Sequence, residues 1–309
     1  SMIFVSRPLN DEIVAMSDRI ILESTHLKRQ PSFGIAQKGQ KSRVIFSGLP
    51  MGHEFTSFIL ALLQVSGRPP KVDKDTIERI KKIDKTIDLE TYVSLTCHNC
   101  PDVVQAFNIM AVLNPNITHT MIEGDMYQDE VKAKGIMSVP TVYKDQEEFT
   151  SGRATIEQLV EKLDGPLDAD AFADKGVYDV LVIGGGPAGN SAAIYAARKG
   201  LKTGLLAETF GGQVIETVGI ENMIGTLYTE GPKLMAQVEE HTKSYDVDII
   251  KSQLATGIEK KELIEVTLAN GAVLKSKTAI LALGAKWRNI NVPGEEEFRN
   301  KGVTYCPHC

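Results

Sequence analysis

Two pairs of cysteines, each with two residues between them, are the feature of this chain best suited to chemistry. They are Cys97-His98-Asn99-Cys100 and Cys306-Pro307-His308-Cys309, and they account for all four cysteines. A glycine-rich turn, residues 184–189 (Gly-Gly-Gly-Pro-Ala-Gly), lies between them. Two dithiols and a nucleotide-binding turn indicate an electron relay, from a bound cofactor through successive disulfides.

A shared metal site is the main alternative for the four cysteines. Zinc ribbons separate their two Cys-x-x-Cys pairs by roughly 15–20 residues, but about two hundred residues intervene here. We therefore expect two redox dithiols and no metal. The plainest alternative for the first pair is two unrelated buried cysteines.

Composition and charge argue against several classes of partner. The 309 residues carry 34 Lys and Arg against 40 Asp and Glu, for a net charge of −6. No basic block interleaved with aromatics is present, so we expect no nucleic acid partner. The longest apolar runs fall short of a membrane span. No signal sequence opens the chain, which predicts a cytoplasmic protein, and there paired cysteines are catalytic or metal-binding.

The elements around the first dithiol place it at the start of a helix. Leu89–Leu95 is predicted as a strand and Pro101–Leu113 as a helix with one apolar face. A thiol at a helix N-terminus faces unpaired backbone N–H groups, which lower its pKa and favour the thiolate. Cys97 is therefore predicted to be the attacking thiolate and Cys100 the resolving thiol.

The order of elements in this region is that of a thioredoxin fold. Residues 76–164 are predicted to form this fold, with Val139-Pro140 as the cis-proline that thioredoxin folds place beside the dithiol. Residues 1–75 resemble a shorter, cysteine-free version and are predicted to be a degenerate copy. The other predicted elements are strands at Met2–Val5, Arg43–Phe46, His119–Ile122 and Thr141–Tyr143, and helices at Phe55–Val65, Lys74–Ile83 and Thr155–Leu163.

A nucleotide-binding domain follows a small, acidic segment, residues 165–177, which is predicted to be a linker. The apolar strand Tyr178–Ile183 enters the glycine-rich turn, whose glycines have the spacing of a dinucleotide fingerprint. Glu208, nineteen residues beyond Gly189, ends the next strand and is placed to bind a ribose hydroxyl. A plain glycine-rich turn in a parallel sheet is the alternative. The other predicted elements are helix Ser191–Lys199, strand Thr203–Leu206 and a β-hairpin at Asn270-Gly271.

Short motifs outside the turn resemble one family. This chain resembles the FAD half of thioredoxin-reductase-like flavoproteins at Phe210-Gly211-Gly212-Gln213, Ile220-Glu221-Asn222 and Ala282-Leu283-Gly284-Ala285. Further stretches narrow the resemblance to the alkyl hydroperoxide reductase F subunits, over nearly the whole chain: Gly52–Ser57, Cys97–Asp102, Ala285–Asn289 and Gly302–Cys309.

The resemblance implies an α/β fold class with tandem thioredoxin-like folds followed by a Rossmann-type FAD-binding domain. The FAD-binding domain would span residues 178–301, and a nicotinamide and dithiol domain would begin at residues 302–309. The family also implies a homodimer.

The resemblance implies the route of the electrons as well. NADH would reduce FAD, then Cys306 and Cys309, then Cys97 and Cys100, and finally a bacterial peroxiredoxin. Glu54 matches a family carboxylate that would accept the proton released on thiolate formation, although a solvated helix cap is the plainer interpretation. FAD would be bound by residues of the turn and of the motifs that follow it: Gly184, Gly186, Pro187, Ala188, Gly189, Glu208, Gly212, Gln213, Asn222 and Gly284.

The chain also departs from the family pattern. It contains neither the second nucleotide-binding turn, which would hold NADH, nor the returning FAD segment with its Gly-Asp pair. We therefore expect the chain to be part of a longer reductase, to bind FAD poorly and not to be reduced by NADH. The alternatives are a stand-alone thiol–disulfide oxidoreductase and an electron-inert fragment that docks on a peroxiredoxin.

Overall fold

The computed structural model describes residue 15, residues 17–21, residue 23 and residues 26–217, 219–285, 288–299 and 302–305. The predicted strand Met2–Val5 lies outside these residues. The chain divides into two compact units, residues 1–165 with 296–303 and residues 166–295 with 304–309.

The first unit, in its described part, is a six-stranded mixed sheet with helices on both faces. Its elements are β1 (Ser32–Ile35), β2 (Val44–Ser47), a 3-10 helix (Gly52–Glu54), α1 (Phe55–Val65), α2 (Lys74–Lys82), β3 (Ile87–Val93), α3 (Cys100–Leu113), β4 (Ile117–Glu123), α4 (Gln128–Ala133), β5 (Thr141–Lys144), β6 (Glu147–Ser151) and α5 (Ile156–Asp164). The strand order is β1-β2-β4-β3-β5-β6. β2, β4 and β3 run parallel, and the other pairs are antiparallel.

The alternating direction of the side chains along β3 explains why this sheet carries helices on both faces. Leu89 and Val93 point into the main core beside α1 and α3, whereas Tyr92 lies in a second cluster with residues around α4. Successive side chains of a strand point to opposite faces, so both faces need cover. The predicted apolar side of α3 is confirmed, because its members are all buried: Val103, Val104, Phe107, Met110 and Ala111.

The described part of residues 1–75 shares one sheet and one core with residues 76–164. β2 pairs in parallel with β4, so the two N-terminal strands continue the sheet that carries the dithiol. Phe33, Phe46 and Phe58 pack with ring centroids 5.4–5.8 Å apart, within the same cluster as α3. These residues therefore do not form a separate core.

The second unit contains another six-stranded sheet in its described part, in the order β10-β11-β12-β7-β8-β9. Its elements are a 3-10 helix (Ala169–Lys175), β7 (Val177–Ile183), α6 (Pro187–Arg198), β8 (Thr203–Ala207), a 3-10 helix (Gly212–Glu216), α7 (Gly231–Lys243), β9 (Val247–Lys251), β10 (Ala255–Lys260), β11 (Ile264–Leu268) and β12 (Val273–Leu281). β12, β7, β8 and β9 are parallel. The predicted hairpin at Asn270-Gly271 is confirmed by the antiparallel pairing of β11 with β12.

The segment predicted as a linker, residues 165–177, contains a short helix of its own. Residues 169–175 form a 3-10 helix, and Phe172 is buried in the same cluster as Tyr178 and Leu181. A single aromatic side chain is enough to hold a short acidic segment on the core, because its burial removes a large apolar area from water. No helix among the described residues combines the length and apolar character needed to cross a bilayer.

Candidate functional site

The first dithiol lies where the parallel strands of the first sheet end. Cys97 is in the loop after β3, and Cys100 is the first residue of α3. β3 is parallel to β4, which is parallel to β2, so the carboxyl ends of all three strands meet at this edge. The two sulfur atoms are joined in a disulfide, with the Cα atoms 5.6 Å apart.

The two sulfur atoms differ in their access to solvent. Cys97 is half-buried, whereas Cys100 is completely buried. The backbone N–H of Cys100 donates to Sγ of Cys97 over 3.1 Å. A donor at the start of a helix stabilises negative charge on that sulfur. This geometry agrees with Cys97 as the attacking thiol and Cys100 as the resolving thiol, roles that stay predictions.

The loop before β5 lies against the same sulfur. The Val139-Pro140 peptide bond is cis, as predicted. The carbonyl oxygen of Val139 is 3.7 Å from Sγ of Cys97, and β5 then pairs with β3 from Thr141 onward. The backbone of Val139 therefore lies directly beside the less buried sulfur.

Glu54 is a buried carboxyl group next to this dithiol. Its 3-10 helix is tied to the loop before Cys97, because the His53 N–H donates to the Leu95 carbonyl over 3.1 Å. Glu54 is 0% exposed, and neither of its carboxyl oxygens has a hydrogen bond of full geometry among the described residues. It also makes no side-chain cap on α1. The interpretation as a solvated helix cap is therefore wrong.

The surroundings of Glu54 set its protonation. Burial raises the pKa of Glu54 to about 7; the nearby Ser57 hydroxyl opposes this rise, and the negative charge of Asp102 adds to it. Asp102 lies in the first turn of α3 and pairs with Arg153 over 2.6 Å. A carboxyl group with this pKa can give up or accept a proton near neutral pH.

Two histidines meet beside the dithiol. The ring of His53 lies 4.1 Å from that of His98, centroid to centroid, at an angle of 45°, and both residues are exposed. The sequence placed His98 between the cysteines, but it did not predict that His53 would stack against it. The contact follows from the approach of the 3-10 helix to the loop before Cys97.

The glycine-rich turn joins β7 to α6 in the second unit. A Cβ on Gly184 would overlap the Ala282 carbonyl oxygen, and one on Gly189 would overlap the Gly184 carbonyl oxygen. Gly186, the N-cap of α6, has no atom within 4 Å of where its Cβ would be. Gly184 and Gly189 are therefore needed for packing, while Gly186 leaves open space in front of the helix N-terminus.

Asn190 holds this turn in place, and sequence reasoning missed it. Its side-chain amide donates to the carbonyl oxygens of Gly185 and Gly186 over 2.7 and 3.0 Å. Its Oδ1 accepts from the hydroxyl of Thr242 over 2.8 Å, and Asn190 is completely buried. A polar residue one position after the last glycine of the fingerprint was the available signal.

The other predicted cofactor residues lie at the edge of the sheet that carries the turn, close to Gly186, or at exposed positions. Glu208 follows β8 and Gly284 follows β12, the two parallel neighbours of β7, so both lie at the edge that carries the turn. A Cβ on Gly212 would be 3.4 Å from Cα of Gly186. Gln213, Asn222 and the first residues of α6, Pro187 and Ala188, are exposed.

The second dithiol and the lone tryptophan, residues 306–309 and 287, lie outside the described residues. Within the described ranges, no group of three or more His, Cys, Asp and Glu side chains is placed to hold a metal ion.

Both units match known families. Residues 178–309 match the family described as pyridine nucleotide-disulphide oxidoreductase, and residues 87–164 match the thioredoxin domain family. Two sheets with these two kinds of domain confirm the predicted α/β fold class.

Some known proteins are similar to nearly the whole chain. The chain is 60% identical over 301 residues to a protein named NADH dehydrogenase from Bacillus subtilis, covering 97% of this chain and 59% of the relative. It is 54% identical over 309 residues to the alkyl hydroperoxide reductase F subunit of Xanthomonas campestris pv. phaseoli, covering 97% and 58%. The NTD_N/C domain of this reductase from Enterococcus faecalis is a solved structure with 30% identity and a TM-score of 0.47, covering 50% of this chain and 80% of that chain. The chain thus spans just under three fifths of the length of these two curated relatives.

Proposed function

Because the chain belongs to the family of alkyl hydroperoxide reductase F subunits, we propose that it is part of a flavoprotein disulfide reductase. Electrons would pass from NADH through FAD and two dithiols, Cys306–Cys309 and Cys97–Cys100, to a peroxiredoxin. The single observation that carries this proposal is the Cys97–Cys100 disulfide, with one less buried sulfur at the start of α3.

The exchange step follows from the positions of these residues. The Cys97 thiolate attacks one sulfur of the partner's disulfide, and the other sulfur leaves as a thiolate. Cys100 then loses its proton and attacks Sγ of Cys97, which releases the reduced partner and restores the Cys97–Cys100 disulfide. The partner gains two electrons and this dithiol loses two.

Glu54 is the proposed proton acceptor for the buried thiol. Cys100 is completely buried, so bulk water does not reach its proton easily. Glu54 is buried beside the first turn of α3, with a pKa raised to about 7 by burial, so its carboxylate form can take up a proton near neutral pH.

The second unit fits a dinucleotide. The open space at Gly186 lies in front of the α6 N-terminus, where backbone N–H groups favour a pyrophosphate. Glu208 would bind the adenosine ribose, with Gly184, Gly189, Gly212, Gln213, Asn222 and Gly284 around the cofactor. The chemistry that FAD would supply when bound is acceptance of a hydride from NADH and transfer of two electrons to a dithiol.

Assembly and location complete the proposal. The family resemblance supports a homodimer, and we propose the cytoplasm as the location, because NADH is the proposed electron donor. The likeness covers both units over 97% of the chain, which does not favour a stand-alone oxidoreductase or an electron-inert docking fragment.

Stopped-flow measurement of peroxiredoxin reduction tests the function. The chain is reduced with dithiothreitol, desalted and mixed with a disulfide-oxidised bacterial peroxiredoxin, and the new peroxiredoxin thiols are counted. We expect reduction by the parent and none by a Cys97→Ser, Cys100→Ser double variant. Equal, slow reduction by both proteins would contradict the proposal.

A further inference from the structure

A cleft in the first unit lies at the opposite end of α3 from the dithiol. Its volume is about 440 Å³, and its walls come from the ends of β1 and α1, the turns that follow them, α2 and Leu113. Leu113 is the last residue of α3, whereas Cys100 is the first. At 1.5 Å per residue, the helix places these two ends about 20 Å apart. The cleft is therefore separate from the dithiol site.

The cleft is positively charged, although the chain as a whole is acidic. The charged side chains that line it are all basic: Lys41, Arg43, Arg68 and Lys81. Neither residues 24–53 nor residues 55–72 contain an aspartate or a glutamate, in a chain of net charge −6. Within the described part of the chain, only Lys81 of these four has an ion pair, with Glu78 over 3.0 Å. Three basic groups without a carboxylate partner favour an anion in the cleft.

Arg43 is held in place by the end of α3. The carbonyl oxygen of Ala111 lies in the last turn of this helix, and Pro115, four residues on, has no N–H to donate to it. Arg43 donates instead, from Nε over 2.9 Å. Its two terminal nitrogens make no hydrogen bond to a described residue. A guanidinium fixed through Nε leaves these two nitrogens as oriented donors for phosphate oxygens.

Neutral amides and apolar side chains form the rest of the lining. Gln64 is only 9% exposed, and its side-chain amide has no hydrogen-bond partner among the described residues. Gln37 ties the turn after β1 to α1, because its Nε2 donates to the Val65 carbonyl oxygen over 2.9 Å. The buried side chains of Ile35 and Val44 also line the cleft. A buried amide without a protein partner indicates a polar group of a ligand.

We propose that this cleft binds a nucleotide, with its phosphates on Lys41, Arg43 and Arg68 and its base against the apolar side chains and the Gln64 amide. An inorganic phosphate would leave the apolar lining uncovered. The volume lies in the usual range of small-molecule sites, roughly 300–1,000 Å³, which favours a small molecule over an acidic peptide. The inference goes beyond the proposed function and does not depend on it.

Amide hydrogen exchange of the full chain, read by mass spectrometry, tests the site with ADP, adenosine and inorganic phosphate as probes. Peptides from residues 35–44 and 62–70 report on the cleft, and peptides from residues 183–190 report separately on the glycine-rich turn. The variant Lys41→Glu, Arg68→Glu reverses two exposed charges and keeps the Arg43 bond to α3. The matched control, Lys85→Glu, Lys132→Glu, changes two exposed lysines of the same unit outside the cleft.

We expect ADP to slow exchange in the cleft peptides of the parent and the control, with at least roughly tenfold weaker affinity in the cleft variant. Adenosine and inorganic phosphate should each bind the parent at least roughly tenfold more weakly than ADP, because each makes only part of the contacts. Protection at residues 183–190 should be the same in all three proteins.

Three results would overturn the inference. The first is no change in the cleft peptides at millimolar ADP, or the same change in the cleft variant as in the parent. The second is phosphate binding as tight as ADP binding, which would leave an anion patch with no place for a base. The third is tighter binding of a polyglutamate peptide than of ADP, which would assign the cleft to an acidic protein segment.

Discussion

The backbone N–H of Cys100 points at Sγ of Cys97 from 3.1 Å, so the less buried sulfur is also the one that the start of α3 stabilises as a thiolate. Cys100 itself is completely buried. This geometry agrees with the predicted tasks of the two cysteines, attack by Cys97 and resolution by Cys100.

Single serine variants should separate these two tasks. In a background with Cys306 and Cys309 changed to serine, reduced Cys100→Ser should accumulate a mixed disulfide with oxidised peroxiredoxin, because its Cys97 attacks and nothing resolves the product. Cys97→Ser should trap none, since the remaining thiol is buried. Non-reducing electrophoresis with mass spectrometry measures the adduct. Trapping by Cys97→Ser instead would reverse the assignment.

Glu54 should make the first unit lose stability as pH rises. Its folded-state pKa is raised from 4.5 to about 7 by burial, so the folded chain holds the proton more tightly than the unfolded chain. The free energy of unfolding then falls as pH rises from about 4.5 through 7, by about 3 kcal/mol in total. Glu54→Gln removes this fall, so the free energy of unfolding of the variant, relative to that of the parent, should rise between pH 5 and 8.

Amide hydrogen exchange in β3 and α3, compared between parent and variant at each pH, measures this effect in the full chain. Glu78→Gln is the control, because Glu78 is an exposed carboxylate on α2. A parent-to-Glu54→Gln difference that stays constant from pH 4.5 to 8 would show that Glu54 does not titrate in this range.

Two glycine variants in the turn should fail in different ways. Gly186→Ala has open space around its new methyl group and an extended backbone at φ −74°, so the fold should survive while the pyrophosphate loses its close approach. Gly189→Ala overlaps the Gly184 carbonyl oxygen, so the turn itself should be distorted. Thermal melting and FAD titration distinguish them: we expect a near-parental melting temperature only for Gly186→Ala. A large stability loss in Gly186→Ala would contradict this division.

Glu208 is predicted to hold the adenosine ribose of FAD. Removing a carboxylate that accepts hydrogen bonds from ribose hydroxyls should weaken FAD binding by about 1.5–3 kcal/mol, or roughly tenfold or more. Titration of Glu208→Ala followed by flavin fluorescence measures this loss. Glu262→Ala, an exposed glutamate in the turn between β10 and β11, should bind FAD like the parent. Equal affinity of all three proteins would show that another residue binds the ribose.

We expect the Asn190 side chain to stabilise the glycine-rich turn. Asn190→Ala removes donors to the Gly185 and Gly186 carbonyl oxygens and the acceptor for the Thr242 hydroxyl. Thr242 keeps its bond to Val238, and the carbonyl oxygens of Gly185 and Gly186 keep the backbone N–H donors of Gly211 and Asn190. The cost should therefore be that of the lost side-chain hydrogen bonds alone, about 1–3 kcal/mol. Thermal melting measures the loss, with Asn222→Ala, an exposed position, as the control. A melting temperature equal to that of the control would contradict the role.

Local patterns were enough for many of the elements. The helix Phe55–Val65 has the predicted bounds, and α3 begins one residue before the predicted start, because apolar periodicity and a proline in the first helical turn are signals carried by adjacent residues. The short α4 was expected only from the order of elements, without bounds, and the edge strand β6 was not predicted, since elements this short carry too little periodicity. Within the acidic segment 165–177, composition predicted a linker but gave no sign that Phe172 would be buried.

The sequence by itself determined the two chemistries: cysteines two residues apart at a strand–helix junction, and glycines spaced for a dinucleotide after an apolar strand. These depend on neighbours along the chain, where spacing and helix geometry suffice. Only the tertiary structure decided that Glu54 is buried, that His53 stacks against His98, and that Asn190 holds the turn. Each of these depends on which strands pair and which helices pack across long separations, and burial and pairing of that kind leave no signal at a fixed spacing.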